Sequence, residues 1–294
     1  MDLIVIVGPT AVGKTKLSIE VAKKIDGEII SGDAMQFYKG LDIGTAKATK
    51  EEQSLVKHHL LDILEPTESF SVVDYQKRVR KKIAEIKHKN KTPILVGGSG
   101  LYVQAIIEDY HFKGQKRNKD SDFKNMSLEK LKEKLKEKNP KLYELTDLDN
   151  PRRVIRALEK DDNDIQDKVK AYYDDYYIIG LNTDREKLYE RINKRVDNMI
   201  KSGLIEEVKS LYNQGVKGQS IKAIGYKELY QHFDGDISLD EAVSLIKRNS
   251  RRYAKRQLTW FRNKMNVFWF ESHIDNFDKT IDEVLVQIKK KLNQ

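Results

Sequence analysis

Gly8-Pro9-Thr10-Ala11-Val12-Gly13-Lys14-Thr15 follows the apolar run Leu3-Ile4-Val5-Ile6-Val7 and precedes a segment in which Leu17, Val21 and Ile25 recur four residues apart. Five consecutive apolar residues suit a strand buried on both faces of a parallel sheet, and the spacing of four suits a helix. The octapeptide between them completes the pattern G-x-x-x-x-G-K-[ST] in the strand–turn–helix context that gives this pattern meaning. Its glycines let backbone N–H groups turn inward around phosphate oxygens. Lys14 supplies a point charge, Thr15 a hydroxyl for Mg²⁺, and the helix N-terminus a favourable dipole. Gly8 to Thr15 is therefore a candidate pyrophosphate- or nucleotide-binding loop.

Working outward, Glu28-Ile29-Ile30-Ser31 reads as a second strand and Pro93-Ile94-Leu95-Val96 as a third, with a helical period from Val72 to His88 between them. Strand and helix in alternation indicate an α/β fold, a P-loop parallel sheet core with crossover helices. From Lys113 the character changes. Ser127 to Lys138 is a charged helix with Leu128, Leu131 and Leu135 on a stripe narrow enough to pack against little. Asn139-Pro140 and Asn150-Pro151 each supply an N-cap followed by proline at the first helical position. A small inserted α-helical domain is expected over residues 113–175, with the core formed by 1–112 and 176–294. Ile178 to Leu181 returns to strand character, and Val267 to Phe270 is the expected last strand.

Lys and Arg number 55 against 46 Asp and Glu, a formal charge of +9 over 294 residues. This favours a polyanionic partner without identifying one. There is no cysteine, which excludes disulfide scaffolds and thiolate zinc sites. No apolar window approaches a membrane span, so the expected location is the cytoplasm with no membrane partner.

Asp33, in Ser31-Gly32-Asp33-Ala34-Met35-Gln36, directly follows the second strand. The carboxyl ends of neighbouring parallel strands share a crevice, so this acid should face the phosphate loop. It could orient a nucleophile, accept its proton or hold Mg²⁺ through water; a capping aspartate is the plain alternative. Ser99-Gly100 should reach the same rim. The third strand ends in Gly97-Gly98 where motor ATPases place a second acid, and the N-K-x-D guanine motif is missing. His58-His59 lacks a spaced partner and reads as structural. Tyr172-Tyr173 and Tyr176-Tyr177 read as packing residues.

Seven ordered segments resemble the tRNA dimethylallyltransferase family, also called isopentenyl-pyrophosphate:tRNA transferases. They are Gly8 to Thr15, Ser31 to Lys47 (SGDAMQFYKGLDIGTAK), His58 to Asp62, Val96 to Tyr102, Asn150 to Glu159 (NPRRVIRALE), Ala223 to Glu228 (AIGYKE) and Tyr253 to Arg262 (YAKRQLTWFR). Small departures occur at Val12, at Gly32 and Ala34, and at Ser99. A larger one occurs after Glu159, where Lys160-Asp161-Asp162-Asn163-Asp164 replaces the usual Thr-Gly-Lys-Pro-like continuation.

The resemblance implies transfer of a dimethylallyl group from dimethylallyl pyrophosphate to an adenosine amine in the tRNA anticodon loop, with Mg²⁺ assisting pyrophosphate departure. It implies catalytic roles for Asp33 as general base, and for Lys14 and Arg195 around the pyrophosphate. It implies tRNA contacts at Asp33, Ala34, Met35, Gln36 and Ser99, and at Arg152, Arg153 and Arg156 in the inserted domain. The target base must be flipped from its stack, and Met35, Gln36 and Phe37 are positional candidates to fill the gap. Ile246 to Lys264 holds eight Lys and Arg and no acid; Leu245, Ala254, Leu258 and Phe261 form its expected buried stripe, and its basic face is expected to meet tRNA. A monomer is the expected state. Two other classes stay open on the residues alone: a P-loop small-molecule kinase using ATP, and a non-catalytic P-loop protein that binds RNA.

Overall fold

The computed structural model describes residues 1–109, 122–159 and 170–292. The elements run β1 (Leu3–Val7), α1 (Lys14–Lys24), β2 (Gly27–Ser31), α2 (Lys50–Leu55), β3 (His58–His59), α3 (Val72–His88), β4 (Thr92–Gly97), α4 (Gly100–Ile107), α5 (Leu128–Lys138), α6 (Pro140–Leu145), α7 (Pro151–Leu158), β5 (Tyr176–Asn182), α8 (Arg185–Lys201), α9 (Leu204–Asn213), α10 (Tyr226–Phe233), α11 (Leu239–Lys264), β6 (Phe268–Glu271) and α12 (Phe277–Leu292). The strands form one sheet in the order β3-β2-β4-β1-β5-β6, with every pair parallel. β1 lies in the middle, Val7 opposite Gly97 of β4 and Gly180 of β5. Its five residues are fully buried, because side chains of alternating direction are covered by helices on both faces. Leu3, Val5 and Val7 enter one core, with Ile83 of α3 and Phe261 of α11; Ile4 and Ile6 enter the other, with Leu17 of α1 and Val284 of α12.

β3 was not expected from the sequence. It contains only two residues, Ile29 and Ile30 of β2 pairing with His58 and His59, too few to carry a period. β6 is an edge strand with Phe268 about half exposed. Among the described residues no helix is long and apolar enough to cross a membrane.

The chain forms two compact units, Met1–Asp109 with Ala171–Gln294, and Tyr110–Lys170. Ala171 to Asp175 falls with the sheet unit, because Tyr172 N–H donates to Ile107 O at 2.7 Å and Asp175 N–H to Asp2 at 3.3 Å. Within the second unit, α5 corrects the expectation that it packs against little. Leu131 and Leu135 are buried against Leu142 of α6 and Val154, Ala157 and Leu158 of α7, and Leu128 is half-buried beside them. Two leucines one turn apart suffice because α6 and α7 each present a short apolar stripe to the same axis. The expected caps form: Asn139 accepts from Leu142 N–H at 2.9 Å and Asn150 from Arg152 N–H at 3.2 Å. The divergent residues Lys160 to Asp164 lie outside the described residues.

Candidate active site

The carboxyl ends of β1, β2 and β4 open into a cleft of about 910 Å³ in the first unit. Its walls include Thr10 to Thr15 of the phosphate loop, Asp33 to Gln36 after β2, Gly97 to Ser99 after β4, and Arg191 and Arg195 of α8. The topology brings them together: β1 is flanked by β4 and β5, β4 by β2, so the loops leaving them share a rim. Gly8 and Pro9 are buried behind the loop and do not line the cleft. Gly13 has φ +107°, a left-handed conformation that side-chain-bearing residues rarely adopt, and it turns the chain into α1.

Lys14 Nζ donates to Gly8 O at 3.1 Å and Pro9 O at 2.8 Å. Removal from water, reinforced by the nearby Arg195 cation, pushes its pKa down to about 7, against the opposing pull of Asp33. Asp33 is half-buried and accepts from Met35 N–H at 3.0 Å. Burial raises its pKa even though the Met35 N–H, Lys14 and Arg195 favour the carboxylate. Arg195 lies one turn beyond Arg191 on α8, whose Nε donates to Ala11 O at 2.9 Å. Burial lowers the Arg195 pKa with Asp33 opposing, yet a guanidinium stays charged. Thus the cations Lys14, Arg191 and Arg195 share a partly desolvated space with the Asp33 carboxylate, an arrangement suited to an anionic group beside a proton-accepting centre.

Charge addition to this space has a measurable consequence. With its pKa lowered to about 7, Lys14 is largely neutral above that pH, and a bound pyrophosphate restores its proton. Titration of pyrophosphate into the protein at about pH 8, in buffers of different ionisation enthalpy, should show net proton uptake and weaker affinity as pH rises. Heat independent of buffer would contradict this electrostatic reading.

Two residues overlooked in the sequence build the rim. Gln257, buried on α11, accepts from Thr10 N–H at 2.9 Å and donates to Gly98 O at 3.0 Å. A Cβ at Gly98 would overlap the Gln257 amide, so glycine is required there for this bridge. Tyr253, one turn earlier, lines the cleft with Ser99, and burial with the Asp33 charge pushes its phenol up to about 12. The signal for Gln257 was its place on the buried stripe. Ala254 and Phe261 are buried as expected, while Leu245 and Leu258 are only half-buried and Ile246 and Gln257 join the stripe instead. Gln257→Ala removes both bonds, and leaving the buried Gly98 O unpaired costs roughly 1–3 kcal/mol. A lower melting temperature and a raised donor KM are expected; an unchanged KM would show that the bridge does not set the loop.

Other expected residues are placed differently. Ser99 N-caps α4 and lines the cleft, as do Ala34 and Met35. Gln36 lines it too, but its amide is engaged internally, accepting from Ser31 Oγ and donating to Thr45 O and Ala46 O. Phe37 is fully buried against Phe70 and Tyr75, which removes it as a gap-filling side chain and leaves Met35. Arg152, Arg153 and Arg156 are exposed on α7 of the second unit, with Arg153 paired to Asp147 at 2.9 Å. His59 pairs with buried Glu28 at 2.6 Å, and His58 Nδ1 faces Val56 O at 2.8 Å. Tyr177 is buried, whereas Tyr172 is exposed with the Arg80 guanidinium 3.5 Å above its ring.

Residues 36–264 match the IPP transferase family. The chain is 50% identical to the tRNA dimethylallyltransferase of Bacillus cereus (strain AH187), across 99% of this chain and 95% of that protein. It is 51% identical to the tRNA dimethylallyltransferase of Bacillus anthracis, across 98% and 95%. The crystal structure of the full-length tRNA isopentenylpyrophosphate transferase from Bacillus halodurans superposes with a TM-score of 0.79 at 48% identity, covering 99% of this chain and 96% of that one. A eukaryotic dimethylallyltransferase acting on tRNA shares the fold, with a TM-score of 0.86 at 24% identity over 99% of this chain and 79% of that one. With its phosphate loop, rim carboxylate and cationic wall in one cleft, this chain belongs to the tRNA dimethylallyltransferase (IPP transferase) family of prenyltransferases.

Proposed function

We propose that the protein transfers the dimethylallyl group from dimethylallyl pyrophosphate to the N6 amine of the adenosine 3′-adjacent to the anticodon of tRNA, releasing pyrophosphate. The observation that carries this reading is the sharing of one cleft by the phosphate loop, Asp33 and Arg195. The amine lone pair forms the new bond to C1 of the donor, and the C1–O bond breaks with its electron pair leaving on pyrophosphate. An exocyclic adenine amine is a weak nucleophile, so Asp33 takes its proton as the bond forms. Lys14, Arg195 and loop N–H groups hold the charge that grows on the leaving group. Arg195 lines the cleft, where its donors can meet that anion.

The hard oxygen donors at the cleft, the Thr15 hydroxyl and the Asp33 carboxylate, suit Mg²⁺. Thr15 is the residue that would hold it, and bound Mg²⁺ supplies further neutralisation of the pyrophosphate. The stem and loop of the tRNA are held through phosphates by Arg152, Arg153 and Arg156 and by the exposed Arg248, Arg252 and Lys255 of α11. Met35 fills the stack from which the adenine is flipped.

The assay follows pyrophosphate release. It should require unmodified tRNA, dimethylallyl pyrophosphate and Mg²⁺ together, and ATP should not replace the donor. Phosphoryl transfer from ATP without RNA would favour the small-molecule kinase instead.

A further inference from the structure

Gly44-Thr45-Ala46 line the cleft within a segment, Asp42 to Lys47, that belongs to no helix or strand; Ala46 and Lys47 N–H bond back to Ile43 O and Asp42 O, and the N–H groups of Asp42, Ile43 and Gly44 need partners from elsewhere. Glu207 of α9 supplies them. Its carboxylate accepts from the N–H groups of Asp42, Ile43 and Gly44 at 2.9, 2.8 and 3.1 Å, and from the Tyr226 hydroxyl of α10 at 2.6 Å. Three successive amides converging on one anion form a nest, here filled by the protein's own side chain. Gly44 is required for the fit, since a Cβ there would lie 2.5 Å from the Tyr226 ring. Burial and the Glu207 charge raise the Tyr226 pKa, so its phenol remains a donor.

From this anchor a hydrogen-bonded path leads to the candidate base. Thr45 O and Ala46 O accept from Gln36 Nε2, both at 3.3 Å. Gln36 Oε1 accepts from Ser31 Oγ at 2.9 Å, and Ser31 Oγ accepts from Asp33 N–H at 3.3 Å. Lys47, almost fully buried, closes the segment by pairing with Asp62 at 2.6 Å and donating to Tyr38 O at 2.9 Å. None of these bonds involves the phosphate loop.

We propose that Glu207, assisted by Tyr226, is a positioning residue for the transfer reaction: through the 42–46 segment and Gln36 it fixes the loop that carries Asp33, while leaving the pyrophosphate-binding side untouched. This rests on the reading of Asp33 as the proton acceptor. It gives the Asp42–Lys47 and Ala223–Glu228 segments a shared role, one supplying the nest and the other the hydroxyl that steadies its anion.

The test compares full-length wild type, Glu207→Gln and Tyr226→Phe. Steady-state transfer is measured with unmodified tRNA and dimethylallyl pyrophosphate, alongside melting temperature and amide exchange. For Glu207→Gln, kcat should fall by roughly 10–100-fold, as expected when a reacting group is slightly misplaced. Donor KM should stay within about twofold, because the phosphate loop is not part of the path. Exchange should accelerate in peptides covering 31–36 and 42–46 but not in 8–15. Tyr226→Phe keeps the three amide bonds and should show the same split with a smaller loss; it decides the matter if Glu207→Gln does not fold. Unchanged kcat, or a loss shared equally by kcat, donor KM and exchange of 8–15, overturns the proposal. A wild type that transfers nothing under these conditions fails the functional reading itself, which separates the two failures.

Discussion

Asp33→Asn is expected to lower kcat by about 10²–10⁴-fold, the range for loss of a positioned general base. The substitution is nearly isosteric, and the asparagine oxygen can still accept from Met35 N–H, so the loop geometry should survive. The pH dependence carries more information than the size of the loss. Burial raises the Asp33 pKa above the ordinary carboxylate value, so activity should rise with pH along an acid limb displaced upward. In kcat/KM for the donor, Lys14 losing its proton above about 7 should produce the opposing limb. The residual activity of Asp33→Asn should lack the acid limb and keep the basic one.

Stability should move the other way. A carboxyl whose folded pKa is raised binds its proton more tightly in the folded state. Its favourable contribution is present below the unfolded pKa and is lost as pH rises through the folded value. At neutral pH the charged Asp33 therefore opposes folding, and Asp33→Asn should melt at a higher temperature than wild type. A variant that loses activity and melts lower would point to structural damage rather than to a missing base.

Arg195→Ala is expected to cost about 10²–10³-fold in kcat, comparable to removing one preorganised donor from a developing anion. Its guanidinium lines the cleft, and the Asp33 charge acts on it. Removing it deletes a cation from the wall that faces the leaving group, and also takes away a charge that favours ionised Asp33. The acid limb should therefore shift upward in Arg195→Ala. Arg195→Lys should recover part of the rate, because a point charge replaces a planar fork imperfectly. Full activity in Arg195→Ala would place pyrophosphate stabilisation elsewhere, on Lys14 and the loop amides.

The α/β core was legible because its strands announce themselves. Leu3 to Val7 and Ile94 to Val96 are short apolar runs, and Val72 to His88 repeats at helical period. Asp33 was legible because loops at the carboxyl ends of a parallel sheet share one rim, and β4, between β2 and β1, keeps the two loops on the same side. Two kinds of information were not local enough to read. The packing of α5 depends on stripes contributed by α6 and α7, so Leu131 and Leu135 looked poorly partnered when counted alone. The polar residues that organise the rim were concealed by composition. Gln257 sits within a strongly basic helix and Glu207 within a charged one, and neither shows its importance until Thr10, Gly98 and the 42–44 amides are brought beside it. Phe37 failed in the opposite sense, an aromatic expected at an RNA surface but consumed by the core.

The most direct measurement is nucleoside mass analysis of unmodified tRNA incubated with the purified protein, dimethylallyl pyrophosphate and Mg²⁺. Fragment mapping then locates any modified residue. The expected product carries one dimethylallyl group on the N6 amine of the adenosine 3′-adjacent to the anticodon, with none on a tRNA carrying guanosine at that place. An unmodified adenosine in a competent tRNA, with the donor merely hydrolysed or phosphate moved from ATP to a small acceptor, would contradict it.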